Sequence, residues 1–230
     1  MLESLRSVIS FIFTERCVVC GRDGELFCGE CGANVMRVDY EVSCPLCGRF
    51  VGKRILCGEC MEENRNYEAG FFLYYYLGPI RDAIHAFKFE RKKRVGRVLI
   101  RMEKDRISEL AGKFDYILPI PVTERRLKER GFNQAYIISE EISKITGIKV
   151  LSDVLIKKKE TKDQYTLSLS ERRKNVRGAF TLRDERAIKG KRILIVDDLF
   201  TTGNTLMEAS RVVSRAQPGS VSVFALARAL

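Results

Sequence analysis

Ile193-Leu194-Ile195-Val196 runs directly into Asp197-Asp198-Leu199-Phe200-Thr201-Thr202-Gly203-Asn204-Thr205. Four aliphatic residues without a polar alternation predict a strand buried on both faces, as in a parallel sheet. Beyond the turn, Leu206, Ala209 and Val213 fall on one helix face. A Gly-containing turn that opens a helix presents backbone N–H groups to a phosphate. In parallel sheets, ligands bind in the crevice at the carboxyl ends of the strands. The hydroxyls of Thr201, Thr202 and Thr205 add donors there, with Gly203 and Asn204 forming the turn. Carboxylates repel phosphate, so Asp197 and Asp198 must face something else. The vicinal hydroxyls of a ribose supply two O–H donors to match them. An Asp-Asp pair alone could do no more than cap a helix. The full strand–acid–acid–threonine–glycine string is far more specific.

Working outward, Phe71 to Leu77 is a run of aromatics and leucine long enough for a strand, broken by Gly78-Pro79. Pro79 suits a first helical turn, and Ile80, Ile84 and Phe87 follow at helical spacing. His85, the sole histidine, falls on that helix beside Lys88 and the basic run Arg91-Lys92-Lys93-Arg94, and is expected to be a surface or core residue. Tyr116 to Ile120 is a second strand, followed by a helix through Ala135, Ile138, Ile142 and Ile145 that ends near Gly147. Val221 to Ala227 reads as the last strand. Strands alternating with helices predict an α/β domain with a mostly parallel sheet.

All eight cysteines precede residue 61, as the pairs Cys17/Cys20, Cys28/Cys31, Cys44/Cys47 and Cys57/Cys60. Each Cys-x-x-Cys turn aims two sulfurs at one point, and two turns complete a tetrahedral Zn²⁺ site. One or two structural zinc ions are expected, with sequential or crossed pairing both open. Gly follows Cys20, Cys28, Cys31, Cys47 and Cys57, as turns with positive φ would favour. No repeat is apparent beyond the cysteine pairs. Around Glu62 to Asn66 the composition turns polar, which predicts a boundary: residues 1–63 hold an N-terminal helix (Leu2, Leu5, Ile9, Ile12) and a small Cys-rich zinc module, and residues 64–230 the α/β domain. Of the net charge of +11, residues 1–63 carry −3 and the remainder +14. Anionic partners should therefore meet the second part. No stretch is apolar enough to span a bilayer. The first residues carry Glu3 and Arg6 without a basic leader or cleavage site, so a cytoplasmic protein is expected.

The string from Asp197 to Thr205 resembles the signature of type I phosphoribosyltransferases. Pro119-Ile120-Pro121, Arg125-Arg126, Arg130-Gly131-Phe132-Asn133-Gln134-Ala135 and the series Thr161, Gln164, Leu167, Arg172, Asn175 and Gly178-Ala179-Phe180 narrow the match. With the cysteine pairs in front, the chain is similar over nearly its whole length to the competence protein F (ComF) family. That resemblance implies a type I phosphoribosyltransferase-like domain behind a zinc module, and a role in DNA uptake during natural transformation.

It further implies phosphoribosyl pyrophosphate (PRPP) and Mg²⁺ as ligands, with Asp197 and Asp198 on the ribose 2′ and 3′ hydroxyls. Thr201, Thr202, Gly203, Asn204 and Thr205 would hold the 5′-phosphate, and Arg125, Arg126 and Arg130 are candidates for the pyrophosphate. Phosphoribosyl transfer to an unknown acceptor is one expected activity. The alternative is a single-stranded-DNA-binding accessory protein that keeps the fold as a non-catalytic or regulatory module. Proteins of the DNA-uptake machinery are expected partners. Lys/Arg clusters at 91–94, 125–130, 157–159 and 172–177 are candidate phosphate contacts for DNA, and Phe132 and Tyr165 are the candidate stacking aromatics, both expected to pack against the domain. Lys157 to Thr161 matches the mobile loop of related enzymes, and Ser168-x-x-Glu171 is a capping-box pattern.

Overall fold

The computed structural model describes residues 15–63, 65–158 and 177–230. The N-terminal helix, the Ser168-x-x-Glu171 box and most of the 157–161 loop lie outside them. Strand β1 (Ala69–Tyr75) is followed by helices α3 (Gly78–Phe89), α4 (Lys93–Arg101) and α5 (Lys104–Ser108). Then come β2 (Tyr116–Pro119), α6 (Glu124–Arg130), α7 (Gln134–Thr146), β3 (Lys149–Val150), β4 (Leu155–Lys157) and β5 (Phe180–Leu182). The chain ends with β6 (Arg192–Phe200), α8 (Asn204–Ser214) and β7 (Ser220–Arg228). Two short helices, α1 (Gly29–Ala33) and α2 (Gly58–Glu62), belong to the cysteine-rich part.

The main sheet runs β1-β7-β6-β2-β3 with every pairing parallel, and β4 pairs with β5 in an antiparallel ribbon beside it. The strand at the centre is the one the aliphatic run predicts. Ile193 to Val196 are fully buried, with α7 packed on one side of the sheet and α8 on the other. β6 is longer than that run: its ladder with β7 continues through Asp197 and Leu199 to Phe200. The acidic pair is therefore set in a strand rather than in a loop after it. α7 begins with Asn133 capping Tyr136 N–H through its side chain and stops at Gly147, whose φ of 76° is a left-handed terminus.

Lys157 closes β4 instead of standing in a loop. The helices α4 and α5 carry mixed, strongly basic sequences that the apolar pattern alone does not mark out. None of the described helices is long and apolar enough to cross a membrane.

The cysteine-rich part is packed onto this sheet. Val38 N–H donates to Leu73 carbonyl at 2.9 Å and Tyr75 N–H to Met36 carbonyl at 2.9 Å, so residues 36–38 extend the sheet antiparallel to the free edge of β1. Such coverage removes an open edge that would otherwise template aggregation.

Candidate functional site: an acidic strand end and glycine turn behind two cysteine clusters

The cysteines form two sequential clusters, Cys17/Cys20/Cys28/Cys31 and Cys44/Cys47/Cys57/Cys60, and within each the four sulfurs lie within 4.8 Å of one another. This settles the pairing that the spacing leaves open. A tetrahedron with Zn–S near 2.3 Å has S···S edges of about 3.8 Å. The observed separations are 3.8 Å for Cys17–Cys31, 3.7 Å for Cys20–Cys28 and 3.6 Å for Cys47–Cys57. Each cluster fits a structural Zn²⁺.

The clusters are copies of one design. Cys17 N–H donates to Arg22 carbonyl and Cys44 N–H to Arg49 carbonyl, both at 2.8 Å. Cys28 N–H points to Cys17 Sγ at 3.5 Å and Cys57 N–H to Cys44 Sγ at 3.4 Å. Arg22 pairs with Glu30 at 2.6 Å and Arg49 with Glu59 at 2.8 Å. The sequence therefore does repeat beyond its cysteines, as Cys-x-x-Cys-Gly-Arg followed by Cys-Gly-Glu-Cys. The glycine expectation needs correction as well. Only Gly21 and Gly48 take positive φ, at 75° and 68°. Gly29 and Gly58 open α1 and α2, and Gly32 sits within α1, where ordinary helical φ suffices.

The second cluster is the more deeply set. Its cysteines are all buried, whereas Cys20 of the first is exposed. Arg228 donates Nε–H to Cys47 carbonyl at 2.7 Å. Arg65, with its side chain only 3% exposed, bonds Tyr67 Oη at 3.1 Å and Glu63 at 3.1 Å. Four thiolates about one divalent ion leave a net charge near −2, and these two buried guanidiniums oppose it.

Arg65 also connects the cluster to the other half of the site. Its guanidinium lies 5.8 Å from the Phe200 ring centroid, and Phe72 meets that ring edge-on at 5.0 Å. Phe200 in turn fits under Gly203. A Cβ at position 203 would meet the ring at 2.5 Å, and φ of 78° is left-handed there. Gly203 is thus doubly required, as a turn and as a close approach.

Around that turn, Asp197, Thr201, Gly203, Asn204 and Thr205 line one narrow cavity at the carboxyl end of β6. Asn204 opens α8, so backbone N–H groups of its first turn face this end. Thr202 Oγ1 is buried and has no hydrogen-bond partner among the described residues. Asp198 N–H donates to Asp197 Oδ1 at 2.8 Å. Burial first, and then the charge of Asp198, push the Asp197 carboxyl up to about 7 against the opposing pull of Asp198 N–H, Lys88 and Lys157.

Asp198 itself faces Lys88, whose Nζ lies 3.1 Å from Oδ2. Sequence reasoning passes over Lys88, although a signal was there. Ile80, Ile84 and Lys88 are spaced by four on a helix, so the lysine extends a buried stripe.

The three candidate arginines are not gathered at one point. On α6, Arg126 and Arg130 are four apart and share a side, while Arg125 is turned well away from both. Arg125 pairs with Glu129 at 2.6 Å and lines a cleft of about 540 Å³ with Thr123, Ser152, Lys157 and Arg183. Arg126 N–H is capped by Thr123 Oγ1 at 3.4 Å. Arg130 bonds Gln134 Oε1 at 3.2 Å. Of the two candidate aromatics for base stacking, Phe132 is buried, as expected, and Tyr165 lies outside the described residues.

Residues 8–63 match the double zinc ribbon domain and residues 88–229 the phosphoribosyl transferase domain. Over 231 residues the chain is 28% identical to competence protein F of Haemophilus influenzae, which covers 94% of this chain and 98% of that protein. The chain belongs to the competence protein F family. Other relatives within it include DNA utilization protein YhgH of Escherichia coli O157:H7, 30% identical over 81% of this chain and 84% of that one. Competence protein ComFC of Bacillus subtilis is 25% identical over 89% of this chain and 85% of its own. The family's architecture is therefore a type I phosphoribosyltransferase fold preceded by two zinc ribbons.

Proposed function

We propose that this chain binds phosphoribosyl pyrophosphate with Mg²⁺ and acts in the cytoplasm during DNA uptake. The observation that carries the ligand is the loop at the end of β6, where Asp197, Thr201, Gly203, Asn204 and Thr205 line one small crevice at the N-terminus of α8, with Asp198 next to it in the strand. In this reading Asp197 and Asp198 accept the ribose hydroxyls. Thr201 through Thr205 donate to the 5′-phosphate, and of the candidates Arg125, Arg126 and Arg130, which point to different sides of α6, one side serves the pyrophosphate end: Arg125, or Arg126 with Arg130. Mg²⁺, when bound, neutralises the pyrophosphate oxygens. The protein's own contribution is orientation and electrostatics rather than a nucleophile. The names of the relatives, competence and DNA utilization proteins, support the cellular role. A division at 63/64 separates the zinc-binding part from the ligand-binding part.

Calorimetry tests the ligand. Mg²⁺–PRPP should bind, and Asp198→Asn should weaken it by about 1.5–3 kcal/mol, the range for a hydrogen bond to a charged group. Unchanged affinity in the double variant Asp197→Asn/Asp198→Asn sinks the assignment. Pyrophosphate release in the presence of an acceptor would separate a transferase from a binder.

A second reading, binding of single-stranded DNA, is favoured by the charge division of +14 against −3. It is also favoured by the uniformly exposed run Arg91 to Arg94. The two readings are compatible.

A further inference from the structure

The last turns of α3 present opposite chemistry on opposite sides. Ile84 and Phe87 are buried and Lys88 turns inward to Asp198, while His85 and Phe89 stay exposed, Phe89 at 54%. His85 and Phe89 are four residues apart, so they share a helix face. Their ring centroids lie 4.8 Å apart with a 41° tilt. From the end of α6, Arg130 brings its guanidinium to 5.7 Å from the Phe89 centroid.

Directly after the ring, the chain turns at Arg91, a non-glycine residue with φ of 56°. Arg91 is anchored there by donating to Glu129 carbonyl at 2.7 and 3.2 Å. Arg91, Lys92, Lys93 and Arg94 are all exposed. Within this run Lys92 pairs with Glu90 at 2.8 Å and Arg94 with Glu15, while Glu129 pairs with Arg125 at 2.6 Å; such exposed pairs are weak and exchange readily for a phosphate.

An isolated exposed phenylalanine is ordinary. Here the ring has a second ring beside it, a cation over it and four consecutive basic residues after it. An aromatic face flanked by Lys and Arg is the arrangement that stacks a base while its phosphates are neutralised, and a guanidinium over a ring extends the stack. We propose that Phe89, with His85 and Arg130, is a stacking platform for a base of a single-stranded nucleic acid, and that Arg91, Lys92 and Lys93 hold the adjoining phosphates. The platform rests on the reading of this chain as a single-strand binder.

The chain has no tryptophan, so Phe89→Trp gives a sole indole reporter at the platform. The full chain is titrated with oligo(dT), with an abasic oligonucleotide of equal length and with dTMP. Oligo(dT) should quench the indole. Phe89→Ala should weaken oligo(dT) binding about 5- to 150-fold, the loss expected for one stacked base, with Mg²⁺–PRPP binding unchanged. The abasic strand should bind wild type and Phe89→Ala alike. Wild-type affinity in Phe89→Ala, with no quenching of the indole, overturns the platform and leaves the single-strand reading standing. Absence of any oligo(dT) binding by wild type at low salt overturns that reading and the platform with it. Quenching by dTMP at the same concentrations as by oligo(dT) assigns the ring to a free nucleotide and overturns the strand assignment.

Discussion

Lys88 Nζ sits 3.1 Å from Asp198 Oδ2, and the two side chains are only 9% and 10% exposed. A charge taken this far out of water is tolerated because its partner is taken out with it. Any ribose hydroxyl that reaches Asp198 must share the carboxylate with this ammonium. Lys88 is thus a positioning residue for the acidic pair. Lys88→Met should cost about 3–5 kcal/mol in urea unfolding, because it leaves a buried carboxylate unpaired. Adding Asp198→Asn to Lys88→Met should recover part of that loss. Strict additivity of the two single variants would show that the pair is not energetically coupled.

The same enclosure makes Asp197 sensitive to pH. Its carboxyl titrates near 7 in the folded protein against 3.8 in the unfolded chain, so the folded state binds the extra proton between those values. The contribution is favourable below the unfolded value and is lost as pH rises through the folded one. Thermal stability of the ligand-free protein should therefore carry a component that falls from about pH 4 to about pH 7. Asp197→Asn, which cannot ionise, should flatten that component. Parallel profiles for the variant and wild type would remove Asp197 from the account.

The central strand, the Gly203 turn and the pairing of α3 with its proline start were legible because each has a local signature. An aliphatic run, a Gly in a left-handed turn and a 3.6-residue stripe need no tertiary information. The internal repeat of the ribbons was equally local, written in Gly-Arg and Gly-Glu beside the cysteines. Two things were not local. The extension of β6 through Asp197 and Asp198 depends on β7 offering ladder partners as far as Arg228, and no property of the acids announces that. The scatter of Arg125, Arg126 and Arg130 follows from helical geometry once α6 is known to be a helix, but one leucine among six charged residues gives no apolar stripe from which to infer one.

Metal should leave the two clusters unequally. Cys20 is exposed in the first, while the second is wholly buried and braced by Arg65 and Arg228. Purified protein should carry about two zinc ions, in agreement with two four-cysteine sites. A chromogenic chelator should remove one quickly and the other only as the fold opens. Through Arg65 and Phe200 the second cluster supports the ring on which Gly203 rests. Cys57→Ser should therefore lower both the melting temperature and Mg²⁺–PRPP affinity more than Cys28→Ser does. Release of both ions in one kinetic phase, with equal effects of the two substitutions, contradicts this asymmetry.

The last expectation separates charge from stacking at the proposed nucleic-acid surface. Each phosphate neutralised on a single strand contributes about −0.7 to the slope of log affinity against log salt. Arg91, Lys92 and Lys93 are exposed and contiguous. Replacing all three with Ala should weaken oligo(dT) binding and flatten the slope by roughly 2, the value for three lost phosphate contacts. The loss should shrink as salt rises, because the counterions would then be displaced at little gain. Phe89→Ala should instead lower affinity by the same factor at every salt concentration, since a stacked base releases no counterion. Parallel salt series on the two variants decide the matter. A slope unchanged in the triple variant places the phosphate contacts elsewhere on the basic domain. A slope flattened by Phe89→Ala shows that the ring orders the basic run rather than stacking a base.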